Sequence, residues 1–277
     1  MINQYTVLGQ PIAHSLSPVV HQLFGELTQR KISYTRTEAT PENFAQLVID
    51  FQASGAKGCN VTAPFKQLAV SLCDKLAPLA QRAGSVNTIR MQRDGSRVGH
   101  NTDGLGLVAD ILTNRRRKLE SSRILLLGAG GAARGVLAPL LATKPAELHL
   151  ANRTAGKAET LASLFSDLGS ITSSGYDDIK SDKPYDIIIN ATTPAAAGGM
   201  PDLPDALVDK GTLVYDMTYA TSDTAFMQWG KSLGGSAING LGMLVEQAAE
   251  SYLIWEGVRP KTRLVYPRLH EILSRPE

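Results

Sequence analysis

An apolar run that stops on closely spaced glycines limits this chain more than any other feature. Leu125-Leu126-Leu127-Gly128-Ala129-Gly130-Gly131-Ala132-Ala133-Arg134 sets a strand-forming segment directly before G-x-G-x-x-A, with a helix-forming segment after it. The spacing gives each small residue a task. Gly128 permits the tight turn, Gly130 lets backbone approach a pyrophosphate, and Ala133 allows close packing of helix on strand. The first turn of the helix then offers unpaired N–H groups to phosphate oxygens. Glycine-rich turns without ligands are common. Here the strand before, the helix after and a further strand at Glu147 to Ala151 supply the context that a dinucleotide site requires.

The end of that further strand bears on which dinucleotide. An NAD site usually places Asp or Glu there to accept from the ribose 2′-hydroxyl. This chain has Asn152-Arg153-Thr154, with Lys157 one turn later. The planar fork of Arg153 suits a 2′-phosphate, and Lys157 adds charge. NADP is therefore the better reading. Thr154 also stands where a helix cap belongs.

The remaining pattern divides in two, as 277 residues suggest for about two domains. Residues 1–101 alternate strand and helix. Tyr5 to Leu8, Ile32 to Thr37 and Cys59 to Thr62 read as strands. Ser17-Pro18 and Thr40-Pro41 read as cap and first-turn proline for helices to about Arg30 and Ala53, and Pro64-Phe65-Lys66 opens a helix to about Lys75. Val86 to Met91 and Arg97 to Gly99 flank a hairpin turn at Arg93-Asp94-Gly95-Ser96. Gly104 to Lys118 reads as a connecting helix capped by Thr102. A second α/β run then has strands at Arg123 to Leu127, Glu147 to Ala151, Tyr185 to Asn190 and Leu213 to Asp216. Their helices run from Ala132 to Ala142 and from Thr154 to Leu168, and Gly242 to Trp255 reads as the final amphipathic helix.

Charge and composition exclude several classes. Lys plus Arg is 28 and Asp plus Glu is 26, so a net +2 makes no case for nucleic acid. The run Arg115-Arg116-Arg117-Lys118 reads as solvated charge at a helix end. No apolar stretch approaches the ~18 residues of a membrane span. The first residues lack a basic segment followed by an apolar one, so no secretory signal is read there, and a cytoplasmic protein is expected. Cys59 and Cys73 read as reduced thiols rather than metal ligands, and His14 and His21 lack a metal-binding constellation.

The first half carries a second chemical cluster: Ser15, Ser17, Thr62, Lys66, Asn87, Thr102 and Asp103. Most fall at strand ends or in the loops that follow, where open α/β sheets bind ligands. Hydroxyls, amides, one lysine and one aspartate suit a small polyhydroxylated acid. Each also has a plainer role. Ser17 caps its helix, Asn87 satisfies a turn, or Asp103 favours a helix start.

Taken together, Pro11-Ile12-Ala13-His14-Ser15-Leu16-Ser17-Pro18, Asn60-Val61-Thr62-Ala63-Pro64-Phe65-Lys66, Val86-Asn87-Thr88, Asn101-Thr102-Asp103-Gly104, Gly128-Ala129-Gly130-Gly131-Ala132, Asn152-Arg153-Thr154, Tyr215-Asp216-Met217 and Gly242-Met243-Leu244-Val245-Glu246-Gln247-Ala248 closely resemble the shikimate dehydrogenases of the shikimate/quinate dehydrogenase family, in the family's order over nearly the whole chain. The resemblance implies two α/β domains joined by a helix. Residues 1–103, completed by the C-terminal helices from about 240 to 277, would bind substrate, and residues 104–239 would form a Rossmann-type NADP domain.

It also implies reversible NADPH-dependent reduction of 3-dehydroshikimate to shikimate on the way to aromatic amino acids, with Lys66 catalytic and paired with Asp103. Ser15 and Ser17 would hold the substrate carboxylate, and Thr62, Asn87, Asp103, Tyr219 and Gln247 would contact substrate. Gly128, Ala129, Gly130, Gly131 and Ala132 would form the pyrophosphate loop. Asn152, Arg153, Thr154 and Lys157 would surround the 2′-phosphate, with Met217 and Gly240 near the nicotinamide. No metal is expected. The assembly would be a monomer or homodimer with a small-molecule substrate as its partner. The chain departs from the family pattern at Thr221, at Thr193-Pro194 and at Pro78. Two rivals stand beside this reading: a quinate-active enzyme of the same fold and a non-catalytic ligand sensor.

Overall fold

The computed structural model describes residues 2–179, 182–192, 200–219 and 222–273. The departures at Thr193-Pro194 and Thr221 lie outside the described residues. The chain divides into two compact units: Met1–Gly106 with Leu244–Glu277, and Leu107–Met243.

The first unit opens with β1 (Asn3–Gly9), α1 (Ser17–Thr28), β2 (Ile32–Glu38), α2 (Phe44–Ala53), β3 (Gly58–Val61), β4 (Lys75–Leu76), α3 (Pro78–Ala83), β5 (Thr88–Met91), β6 (Arg97–His100) and the start of α4 (Asp103–Ala109). Its six-stranded sheet has the order β2-β1-β3-β5-β6-β4. β1 pairs in parallel with β2 and β3, whereas β5 runs antiparallel to β3 and β6. On one face Leu8, Cys59, Val61 and Ile89 pack against Phe44, Val48 and Phe65, with Phe44 and Phe65 stacked at 4.8 Å. On the other, aromatic rings fill the space, with Tyr5 stacked on Trp255 at 4.5 Å and His21 on Tyr34 at 4.2 Å.

Register decides where this unit's polar residues meet. Thr88 pairs with Asn60 across β5 and β3, and with His100 across β5 and β6. Residues just past β3, just before β5 and just past β6 therefore share one end of the sheet. These are Thr62, Asn87 and Asn101 to Asp103.

The second unit holds β7 (Arg123–Leu127), α5 (Gly131–Ala142), β8 (Glu147–Ala151), α6 (Ala155–Phe165), β9 (Ile171–Ser174), β10 (Ile187–Asn190), β11 (Leu213–Asp216), α7 (Ala225–Ser232) and β12 (Ser236–Ile238). All its strand pairs are parallel, in the order β12-β11-β10-β7-β8-β9. Counted from β7 this is the 3-2-1-4-5-6 order of doubly wound dinucleotide-binding sheets. Both faces are covered, which explains the unbroken apolar strands. Ile124, Leu126, Ile187 and Ile189 join Val136, Leu140 and Leu161 in one core, while Leu125, Leu127, Ile188 and Val214 join Phe226 in the other. α8 (Leu241–Glu256) and α9 (Tyr266–Leu273) follow, the latter inside the first unit.

Several local expectations are corrected. α1 begins at Ser17 with Leu16 as its cap residue, so Ser17 is not the cap. Instead, the Ser17 N–H donates to Ser15 Oγ at 3.3 Å. α2 begins at Phe44 rather than near Thr40, because Asn43 Oδ1 accepts from the Thr40 N–H at 2.7 Å and closes a turn first. The segment after Lys66 is a 3₁₀ turn, Leu68–Leu72, that leads into the short strand β4. The helix from Asp103 widens to a π turn at Asp110–Asn114, so Arg115 to Lys118 lie beyond it, with Arg115 Nε 3.5 Å from Asp110 Oδ1. Thr154 occupies the cap position of α6, yet its side chain makes no capping bond. α8 is not the last helix, since α9 follows it.

Candidate active site

In the second unit the glycine turn follows β7, the first strand of the sheet. Gly128 has φ +104°, which L side chains rarely adopt, and an added Cβ would crowd the Ala191 carbonyl at 3.1 Å. Gly130 is the opposite case. Among the described residues, its chain neighbours aside, nothing lies within 4 Å of where its Cβ would stand. That open space, before the free N–H groups of α5, fits a pyrophosphate. Ala133 is fully buried in the core, as close packing of α5 on the sheet demands. Beyond β8, Asn152 Nδ2 donates to the Thr154 carbonyl at 2.9 Å and shapes the turn. Arg153, Thr154 and Lys157 are exposed there, available to an anion. Burial raises the Tyr176 hydroxyl, which the Arg153 backbone and charge partly offset, so Tyr176 belongs to the same corner.

Past β11 the chain approaches itself closely. A Cβ on Gly240 would lie 2.2 Å from the Met217 carbonyl oxygen, so only glycine fits. Asp216 orders this loop. Its Oδ1 accepts from the Thr218 N–H at 3.0 Å and its Oδ2 from Thr224 Oγ1 at 2.7 Å. Met217 and Gly240 are thus brought together, and Tyr219 lies half-buried two residues further on.

In the first unit Lys66 Nζ donates to Asp103 Oδ2 at 2.7 Å. The Asp103 side chain is 5% exposed and that of Lys66 19%, so the ammonium keeps an open side while the carboxylate is enclosed. Asn87 joins the other residues. Its Nδ2 lies 2.9 Å from Asp103 Oδ1 and 2.9 Å from Gln247 Oε1, while its Oδ1 accepts from the Thr102 N–H at 2.9 Å. A backbone N–H only donates and a carboxylate only accepts, so these two contacts fix which way the amide points. Asp103 is held also through its own N–H, which donates to Asn101 Oδ1 at 3.1 Å. Gly106 allows Gln247 to reach this point, because a Cβ there would lie 2.6 Å from the Gln247 backbone nitrogen.

Ser15, in the loop before α1, and Ser17, the first residue of α1, are both buried, and Arg36 Nε donates to the Ser15 carbonyl at 2.8 Å. Thr62 is half-buried beside Gly9, whose missing side chain leaves room for the threonine methyl. His14 is exposed in the same loop. Sequence reasoning missed Tyr34 and Asn60. Tyr34 donates to Asn60 Oδ1 at 2.7 Å, and Ser17 is near enough to its hydroxyl to favour the charged form slightly, which sets Tyr34 between the serines and the amide cluster. Burial raises its hydroxyl well above the ordinary tyrosine range. A lone tyrosine in a half-exposed strand gives no spacing signal. Only register across β1, which sets Tyr34 beside Tyr5, brings it here.

Among the described residues no group of histidine, cysteine and carboxylate side chains gathers in the number a metal ion needs, and no helix is long and apolar enough to cross a membrane.

A 3-2-1-4-5-6 sheet with a glycine turn after its first strand, in a chain that elsewhere holds a lysine–carboxylate pair among amides and hydroxyls, defines the class of dinucleotide-dependent oxidoreductases. Residues 7–89 match the family described as shikimate dehydrogenase substrate binding domain, residues 110–197 match shikimate/quinate 5-dehydrogenase, and residues 240–269 match the shikimate 5′-dehydrogenase C-terminal domain. The shikimate dehydrogenase (NADP(+)) of Aeromonas salmonicida (strain A449) is 49% identical over 274 residues, 99% of each chain. Two solved structures are similar throughout. An Ael1 enzyme from Pseudomonas putida has a TM-score of 0.89 at 38% identity over 99% of each chain. The shikimate 5-dehydrogenase of Thermus thermophilus, in complex with NADP(H) and shikimate, has a TM-score of 0.86 at 29% identity over 98% of this chain and 99% of that one. The chain belongs to the shikimate dehydrogenase family.

Proposed function

We propose that the protein catalyses the reversible NADP-dependent reduction of 3-dehydroshikimate to shikimate, as a cytoplasmic enzyme of aromatic biosynthesis. The observation that carries this reading is the Lys66–Asp103 pair at 2.7 Å with the Asn87 amide bonded to the second carboxylate oxygen. NADPH, when bound, would supply the hydride that the C3 carbonyl carbon gains. The chain's own residues manage the oxygen. Lys66 Nζ, open on one side, delivers a proton to the oxygen as it gains charge, directly or through a water, and takes it back in the oxidation direction. Asp103 orients that ammonium and accepts from a substrate hydroxyl. Asn87, Thr62 and Gln247 supply further donors and acceptors to the ring hydroxyls, and Ser15 and Ser17 donate to the carboxylate. Tyr219 is assigned to substrate as well.

The cofactor would be held by backbone at Gly128 to Ala132 and by charge at Arg153 and Lys157, with Asn152 and Thr154 shaping that corner, and Met217 and Gly240 would lie toward its nicotinamide. On this reading residues 1–103 with about 240–277 form the substrate domain and 104–239 the NADP domain. Initial rates of NADPH formation with shikimate and with quinate, each with NADP⁺ and NAD⁺, test it. The expected result is a clear preference for shikimate with NADP⁺. Equal turnover of quinate would move the protein to the broader activity, and binding of shikimate without NADPH formation would make it a sensor.

A further inference from the structure

Ser251 lies in α8 one turn after Gln247 and is fully buried. Alanine suits a helix interior better than a serine that bonds back to the preceding turn, so α8 itself has no use for this hydroxyl. Its surroundings do. Ser251 Oγ donates to the Gln247 carbonyl at 3.1 Å, and it lies 2.8 Å from Thr88 Oγ1, 3.1 Å from Asn60 Nδ2 and 3.3 Å from Thr102 Oγ1. A hydroxyl has one proton and two lone pairs. With the proton on a carbonyl that can only accept, both lone pairs face the polar cluster.

Those lone pairs matter because acceptors are few. Without Ser251, the acceptors left among the described residues are Asn87 Oδ1 for the Thr88 hydroxyl and Asn87 Oδ1 or Gln247 Oε1 for the Thr102 hydroxyl. These are the oxygens whose other bonds orient the amide beside Asp103. Asn60 Nδ2 would keep the Asn87 carbonyl and the Thr88 hydroxyl, and lose its third neighbour. We propose that Ser251 is a positioning residue: by accepting from Asn60 and Thr88 it holds the Asn87 amide in line with Asp103 and Gln247. This rests on the reading that Lys66 and Asp103 carry the proton step.

The experiment is steady-state kinetics on the full chain with shikimate and NADP⁺, beside thermal melting. One hydrogen bond in such a network corresponds to about a tenfold change. Ser251→Ala should lower kcat by about tenfold, with shikimate KM little changed and melting no lower than wild type. Ser251→Cys, nearly the same size with a weak acceptor, should behave like the alanine variant. In an Asn87→Ala background Ser251→Ala should cost nothing more, because it acts through that amide. Unchanged kcat in both variants overturns the proposal. So does the same fold-loss in the Asn87→Ala background, or a lowered melting point with kcat intact, which would mark a purely structural role. Lys66→Ala in the same assay separates the two readings. If it lowers kcat while the Ser251 variants do not, only the role of Ser251 fails. If it leaves kcat intact, the reading of the site fails with it.

Discussion

Around Gly128 to Ala133 the structure offers backbone donors and open space, whereas around Asn87 it offers side chains that already satisfy one another. The first arrangement is intolerant of added atoms and indifferent to most lost ones. The second is the reverse, because each amide there is oriented by its neighbours. A cofactor shared by many enzymes can be held by backbone. A particular substrate must be recognised by side chains whose protons point one way.

The sharpest way to break the comparison is to add atoms where only space matters. Gly130→Val sets a branched side chain where, among the described residues, nothing beyond its chain neighbours lies within 4 Å, so the fold should survive and NADPH binding should collapse. Calorimetry with NADPH on a variant of native melting point checks this, and unchanged affinity would remove the turn from the cofactor site. Next is removal of atoms where side chains matter. Lys66→Ala should lower kcat by about 10²–10⁴-fold with a much smaller change in shikimate KM. Asp103→Asn should also slow turnover, and the double variant should lose less than the product of the two. A defect confined to KM would make Lys66 a gripping residue.

A smaller effect is expected at the exposed corner of the cofactor unit. Arg153→Ala removes a charge-assisted bond and should weaken NADP⁺ by about 10–100-fold while sparing NAD⁺. Equal losses for both cofactors would assign Arg153 a structural role. The smallest effect concerns stability, and it belongs to the first unit. Burial pushes the pKa of His21 from 6.5 down to about 3, with the Asn60 amide opposing weakly. Between those values the unfolded chain binds a proton at this site and the folded chain does not. Stability conferred there is therefore whole above pH 6.5 and falls as pH drops toward 3. His21→Phe should flatten the loss by on the order of a few kcal/mol in urea titrations across that window. A slope identical to wild type would sink this account.

Much of the architecture is readable in the sequence because burial imposes period and punctuation. β7 carries the run Leu125 to Leu127 that a doubly covered sheet explains, and the bounds of β7, β8 and β11 match the expected ones. The edge strands β9 and β12 are not readable. Ile-Thr-Ser-Ser and Ser-Ala-Ile are too short and polar to announce themselves, and they owe their form to pairing with β8 and β11. α7 escapes for a similar reason, being a short helix started by Thr224 Oγ1, which accepts from the Met227 N–H at 3.2 Å. The polar cluster shows the same limit. Lys66 and Asp103 stand out as charged residues beside motifs, but Tyr34, Asn60, Thr88 and Ser251 are ordinary polar residues. Their meaning comes from register and from a helix far along the chain.

That distance has a consequence in time. The unit Leu107–Met243 is one unbroken stretch, while the first unit is interrupted and needs Leu244–Glu277. During synthesis every strand of the uninterrupted unit is translated before Gln247 and Ser251. Asn60, Asn87 and Thr102 are translated long before either residue, and until then they face the ribosome's surroundings with water as their partner. Domains fold as units during synthesis, so the sheet made second can be the first to finish. The polar cluster around Asn87 is completed last, when α8 emerges and replaces that water.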